Sequence, residues 1–134
     1  MLLIDKVISA REQSICVSAR ANSNAWYVDA NGDMPAWVGI ELMAQSIAAW
    51  VGLQGWQQGK PPKKGFLLGT RNYTSQVPSF VAGSEIEITA SETYQDEGGL
   101  GAFDCSLAIN GLLVAEASLK VFEPADFDAF MEQQ

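Results

Sequence analysis

Over most of this 134-residue chain, apolar and polar positions alternate with the period of a strand that buries one face. From Ser14 to Ala21, Ile15, Val17 and Ala19 stand against Ser14, Cys16 and Ser18. The pattern returns from Glu85 to Tyr94, where Ile86, Ile88 and Ala90 alternate with Glu85, Glu87, Thr89 and Ser91, and from Ala102 to Ile109, with Phe103, Cys105, Leu107 and Ile109 on one side. Asn110-Gly111 predicts a type I′ hairpin, because that turn needs positive φ at both central residues. Leu112 to Phe122 is then the partner strand, with Leu113, Ala115, Ala117, Leu119 and Val121 inward. Asp96 to Gly99 predicts a turn, Pro78 and Gly83 punctuate the approach to Glu85, and Gly65 to Tyr73 reads as a further strand. Met1 to Val7 is expected to be a short packed segment, and the tail beyond Pro124 a short helix or a frayed end.

One stretch breaks the alternation. From about Pro35 to Gly52 the chain reads as a long helix, apolar on nearly every side. Pro35 suits a helix start, where its missing N–H costs nothing, and Asp33 just ahead can cap the helix or favour its positive end. Polar loops flank it: Asn22 to Asp33, with Asn31-Gly32, and Gly52 to Lys64, rich in Gly, Gln, Pro and Lys. A helix apolar all round must be enclosed, and the only material for this is a single sheet with one apolar face. The expected fold is therefore α+β, an antiparallel sheet curled around one central helix in a single domain, residues 1–134. Open sheet edges and a half-covered helix favour a dimer.

Composition narrows the functional classes. The net charge of −8 and the pI near 4.3 argue against a nucleic-acid binder and disfavour anionic membrane surfaces. The longest apolar run, Ala36 to Val51, is broken by Glu41, Gln45 and Ser46 and is too short for a membrane span. Asp5 and Lys6 interrupt the apolar opening, so no secretory signal is expected, and the protein is expected to be cytoplasmic with Cys16 and Cys105 as free thiols. The chain has no histidine. That removes the usual activator of a cysteine nucleophile, and nothing has metal-ligand spacing, so no metal and no cofactor is expected.

Candidate chemistry concentrates on the helix. Glu41 and Gln45 lie four apart and share a face. On an ordinary surface helix that face would simply be the solvated stripe. In an apolar rod it is expected to point into a pocket or an interface, where a carboxyl is tuned for proton transfer. N–H groups at the helix start, near Ala36 and Trp37, can polarise a carbonyl, a combination suited to thioester chemistry.

The run Met34-Pro35-Ala36-Trp37-Val38-Gly39-Ile40-Glu41-Leu42-Met43-Ala44-Gln45 resembles the central-helix motif of the hot-dog-fold 3-hydroxyacyl-ACP dehydratases. Met1-Leu2-Leu3-Ile4-Asp5-Lys6-Val7 is similar to that family's opening, and Pro78 to Gly83 to its Pro-x-x-x-Gly ahead of a strand. With Gly65-Phe66-Leu67-Leu68-Gly69-Thr70-Arg71, the chain looks closest to the dehydratase-like proteins of bacterial aryl-polyene gene clusters. The resemblance implies a hot-dog fold. It also implies Glu41 as the acid that protonates the departing β-hydroxyl, the Ala36 N–H as the donor to the thioester carbonyl, and Gln45 as a supporting hydrogen-bond partner. The family's histidine base has no counterpart. Counting back fourteen residues from Glu41 reaches Tyr27, whose ordinary pKa near 10 makes a poor base, and a shifted loop alignment offers Asp29.

In this family the histidine and glutamate of one site come from different subunits. The resemblance thus implies a dimer, either of two copies or with a histidine-bearing hot-dog relative to which this chain lends Glu41. The substrate would be an acyl thioester on the phosphopantetheine of an acyl carrier protein or on CoA. Trp37 is the best pocket aromatic among Trp26, Trp37, Trp50 and Trp56, whose plain alternative is core. Arg71 could meet a phosphopantetheine phosphate, a surface salt bridge being its ordinary role; with Lys60, Lys63 and Lys64 it forms the one basic cluster available to an acidic carrier. Two other readings remain open: thioester hydrolysis using Glu41, which needs no histidine, and a non-catalytic subunit that binds an acyl chain or a partner.

Overall fold

The computed structural model describes residues 2–59 and 67–122. Strands β1 (Lys6–Ala10), β2 (Ser14–Arg20) and the short β3 (Met34–Pro35) precede the helix α1 (Val38–Gln57). Then come β4 (Leu67–Ser75), β5 (Ser79–Phe80), β6 (Glu85–Gln95), β7 (Leu100–Ile109) and β8 (Leu112–Phe122). Six strands form one sheet in the order β1-β2-β6-β7-β8-β4, every neighbouring pair antiparallel, while β3 and β5 pair separately. The sheet and the one helix among the described residues are the expected α+β hot-dog arrangement.

The inward positions follow the alternation closely. Ile15, Val17 and Ala19 of β2 and Ile86, Ile88 and Ala90 of β6 are buried, as are Phe103, Cys105 and Leu107 of β7. They meet Val38, Leu42, Met43, Ile47 and Trp50 of α1. Trp50 packs edge-on against Phe103 with centroids 5.5 Å apart, and its indole N–H donates to the Arg11 carbonyl at 3.0 Å. Asn110 (φ 53°) and Gly111 (φ 78°) make the predicted turn.

Several boundaries differ from expectation. The helix starts at Val38, because Pro35 is taken into the bridge with Ser79. Asp33 does not cap it; its carboxylate accepts the Ala82 N–H at 2.8 Å. The helix runs through Gly52 and Gly55 to Gln57, since Trp50 in the core and Gln54, which also donates to the Arg11 carbonyl, hold its last turns to the sheet. The segment expected only to pack near Met1–Val7 continues into a strand, β1, paired with β2. In β8 the inward set begins at Ala115. The ladder slips where Leu107 pairs with Ala115 but Ala108 with Leu113, and this bulge leaves both Leu112 and Leu113 exposed. The expected strand start at Gly65, the basic loop residues Lys60, Lys63 and Lys64, and the tail beyond Pro124 lie outside the described residues.

Among the described residues the helix is enclosed on one side only. Val38, Leu42, Met43, Ser46, Ile47 and Trp50 are buried against the sheet, while Trp37, Glu41, Ala48 and Gly52 lie along an exposed stripe. Among the described residues no helix is long and apolar enough to cross a membrane.

Candidate functional site

The site forms where the start of α1 meets the β3–β5 bridge and the N-terminal segment. Glu41 is exposed on the helix's first turn, so the apolar enclosure expected of it is not supplied by the described residues. Its partner is Gln45, one turn on, whose Nε2 donates to Glu41 Oε1 at 3.1 Å. Gln45 Oε1 in turn accepts the Leu3 N–H at 2.7 Å. That second bond fixes which end of the amide faces the carboxylate. Gln45 is thus held between the Glu41 carboxylate and the N-terminal segment.

The carbonyl-binding part differs from expectation. The Ala36 N–H donates to the Pro78 carbonyl at 2.9 Å, because the β3–β5 pairing of Met34 with Phe80 and Pro35 with Ser79 carries on one residue further. The donor expected to meet a thioester carbonyl is thus already bonded within this chain. Among the described residues, no acceptor is bonded to the Trp37 or Val38 N–H, while Gly39 and Ile40 turn back to the Ala36 and Trp37 carbonyls. Of these two, Val38 is fully buried and Trp37 exposed, so the unbonded helix-start donor on an exposed residue is that of Trp37.

Both residues proposed to stand in for histidine have structural duties. Tyr27 is buried, and its hydroxyl accepts the Asn22 N–H at 2.9 Å, closing the loop ahead of the helix. The Asp29 carboxylate accepts from the Ser79 hydroxyl at 2.7 Å and from the Asn31 and Asp33 N–H groups at 2.9 and 3.0 Å. Chiefly the Ser79 bond, then that to Asp33, holds its carboxyl below the ordinary aspartate value, against a smaller desolvation effect. A carboxylate so satisfied is a weaker base than a free one. Both brace the loop that leads into Met34 and Pro35.

Of the tryptophans, only Trp50 is core. Trp37 is 55% exposed at the helix start and lies against Trp26, itself 61% exposed, with ring centroids 6.1 Å apart. Trp26 also lines a hollow of about 360 Å³ with Leu2, Leu3, Tyr27 and Met34, next to the Leu3 that anchors Gln45. Trp56 is exposed at the far end of the helix and is no part of this group. Arg71 is exposed on β4 and forms no ion pair among the described residues, so its ordinary salt-bridge role is not seen. Cys16 and Cys105 are both free; burial, with Asp104 beside it, pushes the Cys105 thiol up to about 12, which makes it a poor nucleophile. Among the described residues no group of three or more His, Cys, Asp or Glu side chains is placed to hold a metal ion.

Sequence reasoning missed Tyr73. Its hydroxyl donates to the Ala36 carbonyl, and Gly39 stands under it. The one available signal was a glycine in the opening turn of an otherwise good helix.

Comparison with known proteins agrees with this fold. The model of the ApeP-like family, described as ApeP dehydratase, matches residues 1–132. Among solved structures, the dehydratase heterocomplex ApeI:P from Xenorhabdus doucetiae superposes with a TM-score of 0.89 at 23% identity, over 99% of this chain and 90% of that one. The TT0310 protein from Thermus thermophilus matches with a TM-score of 0.63 at 15% identity, over 88% and 90% of the two chains. A hypothetical thioesterase with coenzyme A from Streptococcus pneumoniae TIGR4 matches with 0.65 at 10%, over 88% and 84%. These structural likenesses carry the fold. No curated protein matches the sequence. Matched along nearly its whole length by that family model, the chain belongs to the ApeP-like dehydratases, hot-dog proteins related to those of aryl-polyene clusters.

Proposed function

We propose that this chain contributes the acid and carbonyl-binding half of a 3-hydroxyacyl thioester dehydratase, completed by a histidine-bearing hot-dog partner. The observation that carries this reading is the Glu41–Gln45–Leu3 chain of hydrogen bonds, built on the uncovered stripe of the helix in a protein without histidine. A carboxylate oriented this carefully, yet left open on its own subunit, fits a site finished by another chain. The structurally similar ApeI:P assembly is a heterocomplex of dehydratase type, which supports the same pairing here.

In the proposed reaction the partner's imidazole takes the α-proton of the thioester. The electron pair forms the α,β double bond, and charge developing on the thioester oxygen is met by N–H groups at the helix start. The C–O bond at the β-carbon breaks, and the hydroxyl leaves as water with a proton from Glu41. Proton return from imidazolium to carboxylate resets the pair. Covering the stripe also excludes water from the reacting groups. The thioester would be carried by the phosphopantetheine of an acyl carrier protein or by CoA, with Trp26 and Trp37 beside its acyl chain and Arg71 available to a phosphate.

The test is a 3-hydroxyacyl carrier-protein thioester offered to this chain alone, to a histidine-bearing hot-dog partner alone, and to both. Water loss with the thioester intact is expected only from the pair, and Glu41→Gln in this chain should cut it by about 10²–10⁴-fold. Full dehydration by this chain alone would overturn the shared site. Release of a free carrier thiol would replace dehydration with hydrolysis, and full activity of the pair carrying Glu41→Gln would reduce this chain to a non-catalytic subunit.

A further inference from the structure

Three unusual features converge on one peptide group. In β4 the ladder to β8 is regular through Arg71, slips, and resumes at Thr74; within the slip Asn72 adopts φ 56°, a left-handed conformation uncommon outside glycine. A bulge of this kind re-aims the next side chain, and here the next side chain is Tyr73, whose hydroxyl reaches across to the Ala36 carbonyl. Gly39 makes room for it. A Cβ at that position would collide with the Tyr73 hydroxyl and come within 2.8 Å of Leu107 Cδ1. Glycine inside a helix costs about 1 kcal/mol relative to alanine, so helix propensity disfavours it there.

The Ala36 carbonyl accepts a second bond, from the Gly39 N–H at 2.9 Å. Donors on a carbonyl polarise its whole peptide unit and strengthen the N–H at the other end. That N–H belongs to Trp37, which is bonded to no acceptor among the described residues and lies one turn from Glu41, whose side chain leans back toward the helix start. The neighbouring Ala36 N–H, by contrast, is occupied by Pro78. We propose that Tyr73 is a positioning residue which polarises the Ala36–Trp37 peptide, so that the Trp37 N–H binds the thioester carbonyl oxygen. The inference rests on the dehydratase reading and adds the donor that serves it and the side chain that tunes that donor. Burial of the Tyr73 hydroxyl raises its pKa, consistent with a group that stays protonated and donating.

The test follows backbone amides by NMR in the full chain paired with its histidine-bearing partner, with an enoyl-pantetheine thioester as probe. Saturating probe should move the Trp37 amide proton downfield and leave that of Ala36 in place, a readout that needs no variant. Tyr73→Phe keeps the ring and removes the donor. It should shift the Trp37 amide upfield before probe is added, reduce the lowering of the bound thioester's carbonyl stretch, and cut kcat about tenfold with KM changed less than twofold. A Trp37 amide unmoved by probe, or a Tyr73→Phe chain with unaltered carbonyl stretch and kcat, overturns the proposal. Glu41→Gln in the same assay keeps the two questions apart. Loss of activity there beside an inert Tyr73→Phe defeats only the Trp37 donor, whereas retained activity there defeats the dehydratase reading itself.

Discussion

The two sides of α1 differ little in amino-acid type and greatly in what covers them. On the inner side Val38, Leu42, Met43 and Ile47 are almost wholly removed from water by the sheet. On the outer side Trp37, Ala48 and Gly52 are comparably apolar but exposed, and Glu41 with Gln45 is set among them. The inner side is explained by this chain alone. An apolar outer side with one braced carboxylate has no such explanation among the described residues, and uncovered apolar stripes are normally reserved for a partner. The contrast shows where a subunit's own stability ends and where its dependence on assembly begins.

The sharpest way to break that division is Glu41→Gln. It should reduce dehydration by the assembled pair by about 10²–10⁴-fold while hardly moving the melting temperature of the isolated chain. A large drop in melting temperature would place Glu41 on the stability side instead. Leu42→Ala, one residue away on the inner side, should do the reverse. Urea unfolding is expected to show a loss of about 2–5 kcal/mol, because the fully buried side chain leaves a cavity behind it. A smaller expected effect is that of Ala48→Arg on the outer stripe. The isolated chain should melt unchanged, while sedimentation shows association weakened by about tenfold or more, since an unpaired charge is then placed against a partner. Unaltered association would show that this stripe is not the covered surface.

The smallest effect tests the frame under the open side. The bonds that depress the Asp29 carboxyl favour its ionised form in the folded chain. Their stabilisation is present above the ordinary aspartate pKa of about 3.9 and is lost as pH falls through the lower folded value. Melting curves from about pH 5 to pH 2 should converge for the parent chain and Asp29→Asn, the parent being the more stable only at the upper end. Curves that stay parallel would show that these bonds add nothing.

Much of the sheet could be read from the chain because its period is two and one face is buried, so Ile86, Ile88, Phe103 and Leu107 declare their side. The reading failed where long-range pairing decides. Leu113 fits the alternation, but a slipped ladder turns it outward. Pro35 and Asp33 looked like a helix start, yet strand pairing with Ser79 and the Ala82 N–H claims them. Glu41 and Gln45 were visible as a spacing. The Leu3 anchor, the Pro78 acceptor and the Tyr73 hydroxyl were not, because residues roughly forty apart meet only after folding.

The bulge at the start of β8 has a consequence for the protein as a colloid. By turning Leu112 and Leu113 outward together, it places two adjacent apolar side chains at a hairpin tip, where encounters between molecules begin. At neutral pH a net charge of −8 keeps such tips apart by mutual repulsion. Acidification toward the pI near 4.3 removes that repulsion and leaves the tips in place. Solubility should therefore fall steeply on that approach while the chain is still folded, and recover with Leu112→Ser.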